Sequence, residues 1–137
     1  MYRIFLDIDI AMDLIANRNP FVEDSLPFLT LVDERKIKLF ISEVSVGTLI
    51  YLFYERYKLV DAKKRLLHFM EFCDVISGGK EAFSISMNSD FRDKEDGILY
   101  FRAKIHQMDF FVTRDQSDFT SGKAELPVLS PKEFFES

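Results

Sequence analysis

Short, unbroken apolar runs alternate along this chain with longer stretches in which apolar residues recur at helical spacing. Arg3-Ile4-Phe5-Leu6-Asp7 is an apolar run closed by an acid, the pattern of a strand covered on both faces. Ile10 to Asn17 then repeats apolar residues at Ile10, Leu14 and Ile15, as a helix does. Asn19-Pro20 offers an N-cap followed by proline at the first helical position, with Phe21, Val22, Leu26, Leu29 and Val32 as the apolar stripe. Pro27 inside that stretch removes a backbone donor and predicts a kink or two short helices. Lys38 to Ser42 reads as a second strand, Val44 to Tyr57 as a helix, Leu59 to Cys73 as an amphipathic helix, and Asp74 to Ser77 as a third strand ended by Gly78-Gly79. Helices over Lys80 to Ser89 and Asp93 to Gln107 lead to a strand over Asp109 to Arg114. A last strand, Leu126 to Leu129, precedes Ser130-Pro131, which opens a terminal helix. The alternation predicts an α/β fold, a three-layer α/β/α sandwich around a central, mostly parallel sheet of four to five strands. Residues 1–137 form one domain, without repeats or linker.

Size and charge narrow the reading. A chain of 137 residues typically buries about two-thirds of its unfolded surface, so it needs no disulfide to hold a core. The balance of 18 Lys+Arg against 23 Asp+Glu leaves −5, which excludes a generally basic surface and makes any nucleic-acid contact local. Cys73 is the one cysteine; beside Phe72, Asp74 and Val75 it reads as a small apolar filler in a reducing cytosol. Asp7, Asp9 and Asp13 interrupt the first apolar stretch, and no run approaches the ~20 apolar residues of a membrane span. The expectation is a soluble, cytoplasmic protein with no membrane partner.

The chemistry-bearing residues are acids at strand ends. Asp7 and Asp9 follow the first strand, Asp96 heads an amphipathic run, and Asp115 follows Phe110-Phe111-Val112-Thr113. In an open α/β sheet the carboxyl ends of the strands face the ligand crevice, so distant Asp residues can converge there. Clustered carboxylates repel and raise each other's pKa, and are tolerable only around a cation. Oxygen-only donors suit Mg²⁺ or Mn²⁺. Neither His68 nor His106 lies in these segments, so both read as partly buried helix residues.

Four pieces in order carry a family resemblance: Ile4-Phe5-Leu6-Asp7-Ile8-Asp9, then Ile41-Ser42 opening a helix, then Ser89-Asp90-Phe91-Arg92-Asp93-Lys94-Glu95-Asp96, then Val112-Thr113-Arg114-Asp115-Gln116-Ser117-Asp118-Phe119. Together with the closing Pro127-Val128-Leu129-Ser130-Pro131-Lys132-Glu133-Phe134, the chain resembles a PIN domain, the ribonuclease fold of VapC-type toxins, over essentially its whole length. The resemblance implies a metal-dependent ribonuclease acting on single-stranded or structured RNA, an antitoxin partner, and a homodimer. It implies Asp7, Asp96 and Asp115 as catalytic metal ligands, with Asp9 assisting directly or through water. Asp9 falls where the family usually has Asn or Ser. Thr48 falls where a glutamate is common, and Asp9 or Asp93 would restore the missing charge, whereas Glu43 points to another face.

Each assignment has a plainer counterpart. Asp9 and Asp93 suit helix caps, Asp96 an acidic helix N-terminus, Asp115 a turn, and Asp90 and Asp118 solvent. Asp93, Asp118, Thr113, Ser42 and Thr48 are auxiliary candidates, of which Thr113 and Ser42 could hydrogen-bond a carboxylate or phosphate. Arg18, Lys36 and Lys38 are candidate RNA contacts; the Lys63-Lys64-Arg65 cluster reads first as a solvated helix face. Tyr51, Phe53, Tyr54 and Tyr57 read as core or dimer interface, with base stacking a minority option. Two other functions stand beside the nuclease. The chain could be a non-catalytic module that binds RNA or a protein, since Thr48 supplies no charge. Alternatively, Asp7-Ile8-Asp9 could be the opening of a haloacid-dehalogenase-type phosphatase, with Asp7 as nucleophile.

Overall fold

A computed structural model describes residues 1–119 and 125–136. Its sheet has five strands, all parallel, in the order β3-β2-β1-β4-β5. They are β1 (Tyr2–Leu6), β2 (Ile37–Ser42), β3 (Cys73–Ile76), β4 (Phe110–Val112) and β5 (Val128–Leu129). The helices are α1 (Ile8–Ala16), α2 (Val22–Asp33), α3 (Glu43–Ile50), α4 (Ala62–Met70), α5 (Lys80–Met87), α6 (Lys94–Ile105) and α7 (Pro131–Glu136), with a 3₁₀ turn at Gln116–Phe119.

Period-two alternation within apolar strands builds two cores. Ile4, Leu6, Leu39, Ile41 and Val112 face one side, where Ile10, Ile15, Phe28, Leu49 and Phe69 of the helices meet them. Phe5, Phe40 and Phe111 face the other, against Phe91, Tyr100, Ala103 and Phe119. Phe5 and Phe111 lie 5.0 Å apart between ring centroids on neighbouring strands. Each such fully buried ring contributes roughly 1.5–3 kcal/mol. Gly97 sets the closest approach of α5 and α6: a Cβ there would collide with Ser86 Oγ. No described helix is long and apolar enough to cross a membrane.

The elements depart from the sequence expectations at their ends. α1 begins at Ile8 rather than Ile10, because Asp7 caps it by accepting from the Ile8 amide at 2.8 Å. Asn19-Pro20 does not start α2; that bond is cis and the helix begins at Val22, without a side-chain cap. Pro27 leaves α2 one continuous helix, since it sits on the exposed side, where water can take the freed carbonyl. The helix expected over Val44 to Tyr57 changes at Tyr51 into a π-helical turn, Tyr51–Arg56, extended by a bond from the Tyr57 amide to the Leu52 carbonyl. The helix expected over Leu59 to Cys73 stops at Met70, and Cys73 opens β3 instead. Burial pushes the Cys73 thiol up, as suits an inert filler.

Candidate metal centre

The chain leaves β1 in one direction across the sheet, toward β2 and β3, and returns on its other side as β4 and β5. The carboxyl ends of β1 and β4 therefore flank the point where ligands enter such sheets. A cleft of about 180 Å³ opens near there, lined by Asp7, Ile8, Val44, Ser45, Thr48, Asp93, Glu95, Asp96 and Leu99. Asp7 from the end of β1 and Asp96 from the first turn of α6 thus share one cavity, although 88 residues separate them in sequence.

Asp7 is the buried member, 8% exposed. Its Oδ2 accepts from the Thr113 hydroxyl at 2.9 Å and its Oδ1 from the Ile8 amide. Burial, and then the neighbouring Asp9 charge, push its carboxyl up to about 6; these two donors and a further push from Asp115 are smaller effects. Thr113 is a junction: its Oγ1 also lies 3.4 Å from Asp9 Oδ2 and accepts from the Asp115 amide at 3.1 Å. Asp115, whose charge acts on Asp7, accepts from the Ser117 hydroxyl at 2.9 Å.

Other acids are committed elsewhere. Asp9 turns from the cleft toward the loop after β4, accepting from the Ile10 amide at 2.7 Å and the Arg114 amide at 2.9 Å. Its carboxyl is raised by burial, against the pull of Arg114. Asp93 caps α6, accepting from the Glu95 and Asp96 amides at 3.0 and 3.1 Å, while still lining the cleft. Thr48 lies in the cleft wall with its hydroxyl donating to the Val44 carbonyl at 3.2 Å. Ser42 is withdrawn: it caps α3 and accepts from Arg102 Nη1 at 3.2 Å. Asp118 belongs to the 3₁₀ turn, and its side chain lies outside the described residues. Among the described residues, no three of His, Cys, Asp and Glu stand close enough to hold one ion between them.

The basic candidates are not gathered at the cleft. Lys36 precedes β2 and Lys38 lies near its start, and at about 3.3 Å per residue they sit toward the end of the sheet away from the acids; Lys36 faces Glu34 at 3.4 Å. Arg18 pairs with Asp13 at 2.8 Å. Arg65 of the basic cluster donates to the Ile15 carbonyl at 3.1 Å. His68 is exposed beside Glu71, and His106 meets the Ser77 carbonyl. Phe53 is core, whereas Tyr51, Tyr54 and Tyr57 are exposed.

Sequence reasoning passed over three participants. Glu95 adds a carboxylate to the cleft, and its place beside the Asp93 cap was a usable signal. Asp13 is fully buried and held by Arg18 and, through Nε at 2.7 Å and Nη2 at 3.2 Å, by Arg114. That fork ties the loop after β4 to α1, and nothing local in either segment announces it.

A family model described as the PIN domain matches residues 3–117. The chain belongs to the PIN-domain family. Its fold is shared with a chain in the crystal structure of VapBC2 from Rickettsia felis bound to a DNA fragment from their promoter. The match has 13% identity and a TM-score of 0.66, and covers 93% of this PIN domain and 97% of that chain. No curated protein matches this PIN domain in sequence.

Proposed function

We propose that this PIN domain is a divalent-metal-dependent endoribonuclease. The observation that carries the reading is Asp7, a carboxylate taken out of water, pressed upward in pKa by burial and by Asp9, and lining one cleft with Asp96. Those residues fit Mg²⁺ or Mn²⁺: the donors are all oxygen, and Mg²⁺ commonly takes only one or two protein carboxylates, keeping water and substrate phosphate as its other ligands. Asp7 and Asp96 would hold the ion, with Asp115 beside them and Asp9 supporting directly or through water. When bound, such an ion polarises a phosphodiester and lowers the pKa of a bound water. The chain's own part is to orient Asp7 through Thr113 and Ile8, and to wall the cleft with Ser45, Thr48 and Leu99.

The substrate is single-stranded or structured RNA, and the protein is the toxin of a toxin-antitoxin pair whose antitoxin covers the cleft. The shared fold with a VapBC2 chain supports that partner. So does a groove of about 370 Å³ lined by Val46, Ile50, Tyr54, Lys63, Leu66, Leu67 and Met70, an apolar surface where an antitoxin or a second copy could sit. Asp7→Asn is expected to abolish Mn²⁺-dependent cleavage of single-stranded RNA while leaving the circular dichroism spectrum intact. An unchanged rate would sink the assignment.

One observation favours the non-catalytic module: Thr48 brings no charge to the cleft, and the described carboxylates do not close around a point. Titration calorimetry with Mn²⁺ separates the two, since absence of binding in the millimolar range selects the inert module. The phosphatase reading has no such support. Its acid/base would be Asp9, whose carboxylate is engaged by the Arg114 amide.

A further inference from the structure

A second site lies at the carboxyl end of β3, where the glycine pair that ends the strand meets α5 and the far half of α6. Arg102 is 7% exposed. It donates from Nη1 to Ser42 Oγ, and its Nε has no hydrogen-bond partner among the described residues. Among the described residues it forms no ion pair. A guanidinium withdrawn from water without a counter-charge is costly, and structures that keep one usually supply an anion.

The surroundings favour an anion there. Arg102 lines a pocket of about 40 Å³ with Gly78, Gly79, Glu81, Ala82, Ile105 and His106, a space of roughly one small ion, given that a liquid water occupies about 30 Å³. α5 starts at this pocket with Gly79 as its N-cap and no side-chain cap bond. Its first-turn amides therefore receive no acceptor from an N-cap side chain, and they carry the positive end of the helix dipole. Gly78 keeps the space open, since a Cβ there would lie 2.9 Å from Arg102 Nε. Glu81 is the one acid on the rim, and it is solvent-exposed, free to turn outward.

We infer that the α5 N-terminus, the Gly78-Gly79 turn and the Arg102 guanidinium form a binding site for a phosphate group. The site is separate from the acidic cleft and stands whether or not that cleft cuts RNA. Two sources share the chemistry, free inorganic phosphate and a phosphate of a nucleic-acid strand.

Calorimetric titration with inorganic phosphate, in chelator and at chloride-matched ionic strength, tests the site. The wild type is expected to bind one phosphate saturably. Arg102→Met and Gly78→Ala should each weaken it at least about tenfold, the size of losing a hydrogen bond to a charged group. Arg102→Met also loses the Ser42 contact, so it counts only with an unchanged melting temperature. The atoms nearest a Cβ at Gly78 all belong to the Arg102 side chain and none to backbone, and an unchanged melting temperature confirms Gly78→Ala as folded. Repeating the titration with a short single-stranded RNA separates the sources: competition with phosphate, lost in Gly78→Ala, assigns the site to a strand, and phosphate binding without competition assigns it to the free ion. Absence of saturable phosphate binding by the wild type, or equal binding by folded Gly78→Ala, overturns the inference.

Discussion

Asp7 caps α1 and is buried beside another carboxylate, and the two roles pull against each other as pH changes. Its carboxyl titrates near 6 in the fold against 3.8 for the ordinary group. Protonation therefore favours folding: the stabilisation is complete below about pH 4 and is lost as pH rises through about 6, a difference of about 3 kcal/mol for two units. Asp7→Asn carries no charge, so without metal it should be more stable than the parent by up to about 3 kcal/mol near pH 7.5, with the gap closing below pH 4. Urea denaturation at several pH values reads this, and a gap independent of pH would place its cause elsewhere. Thr113→Val keeps the shape but removes the hydroxyl that serves Asp7 and the Asp115 amide. It should cost about 1–3 kcal/mol, measured by the same unfolding. Sequence marked Asp7 and Asp96 only as acids that close a strand or open a helix, places where a capping or dipole role is common; that they line one cleft shows only in the fold. Thr113 was legible only as a hydroxyl near them. Ser42 looked equivalent, yet its partner Arg102 lies 60 residues away, beyond any local pattern.

The elements were readable where apolar residues recur strictly, and poorly readable where caps and long-range pairs decide. The parallel sheet was legible from short, mainly apolar segments separated by helical ones, although Lys38 interrupts β2 and Asp74 interrupts β3. Nothing in periodicity says which end of a strand meets the cleft, which is why Lys36 and Lys38 seemed as well placed as any cation. Pro27 shows the limit of a breaker rule: facing water, it leaves α2 whole. The tie between α1 and the loop after β4 also escapes sequence, because Asp13 and Arg114 are 101 residues apart. Asp13→Ala should cost about 2–3 kcal/mol, less than the 3–5 kcal/mol of a fully buried pair, because both guanidiniums keep contact with water. It should also loosen the loop that carries Thr113 and Asp115. Thermal unfolding gives the first, and faster amide exchange at residues 113–115 gives the second.

At the scale of the whole molecule, the sheet order places the first strand in the middle. β1 pairs on one side with β2, through Ile4↔Leu39, and on the other with β4, through Ile4↔Phe110. A fragment ending at Gln107 leaves β1 as an open edge and strips Phe111 and Val112 from both cores. It should show no cooperative melting by circular dichroism. The same central placement governs the order in which function can appear during synthesis. Thr113, which orients Asp7, and Arg114, which braces the loop, leave the ribosome more than a hundred residues after it. A chain part-way through translation thus carries Asp7 without the groups that aim it, so the acidic cleft takes shape only after the strand that follows α6 has been made.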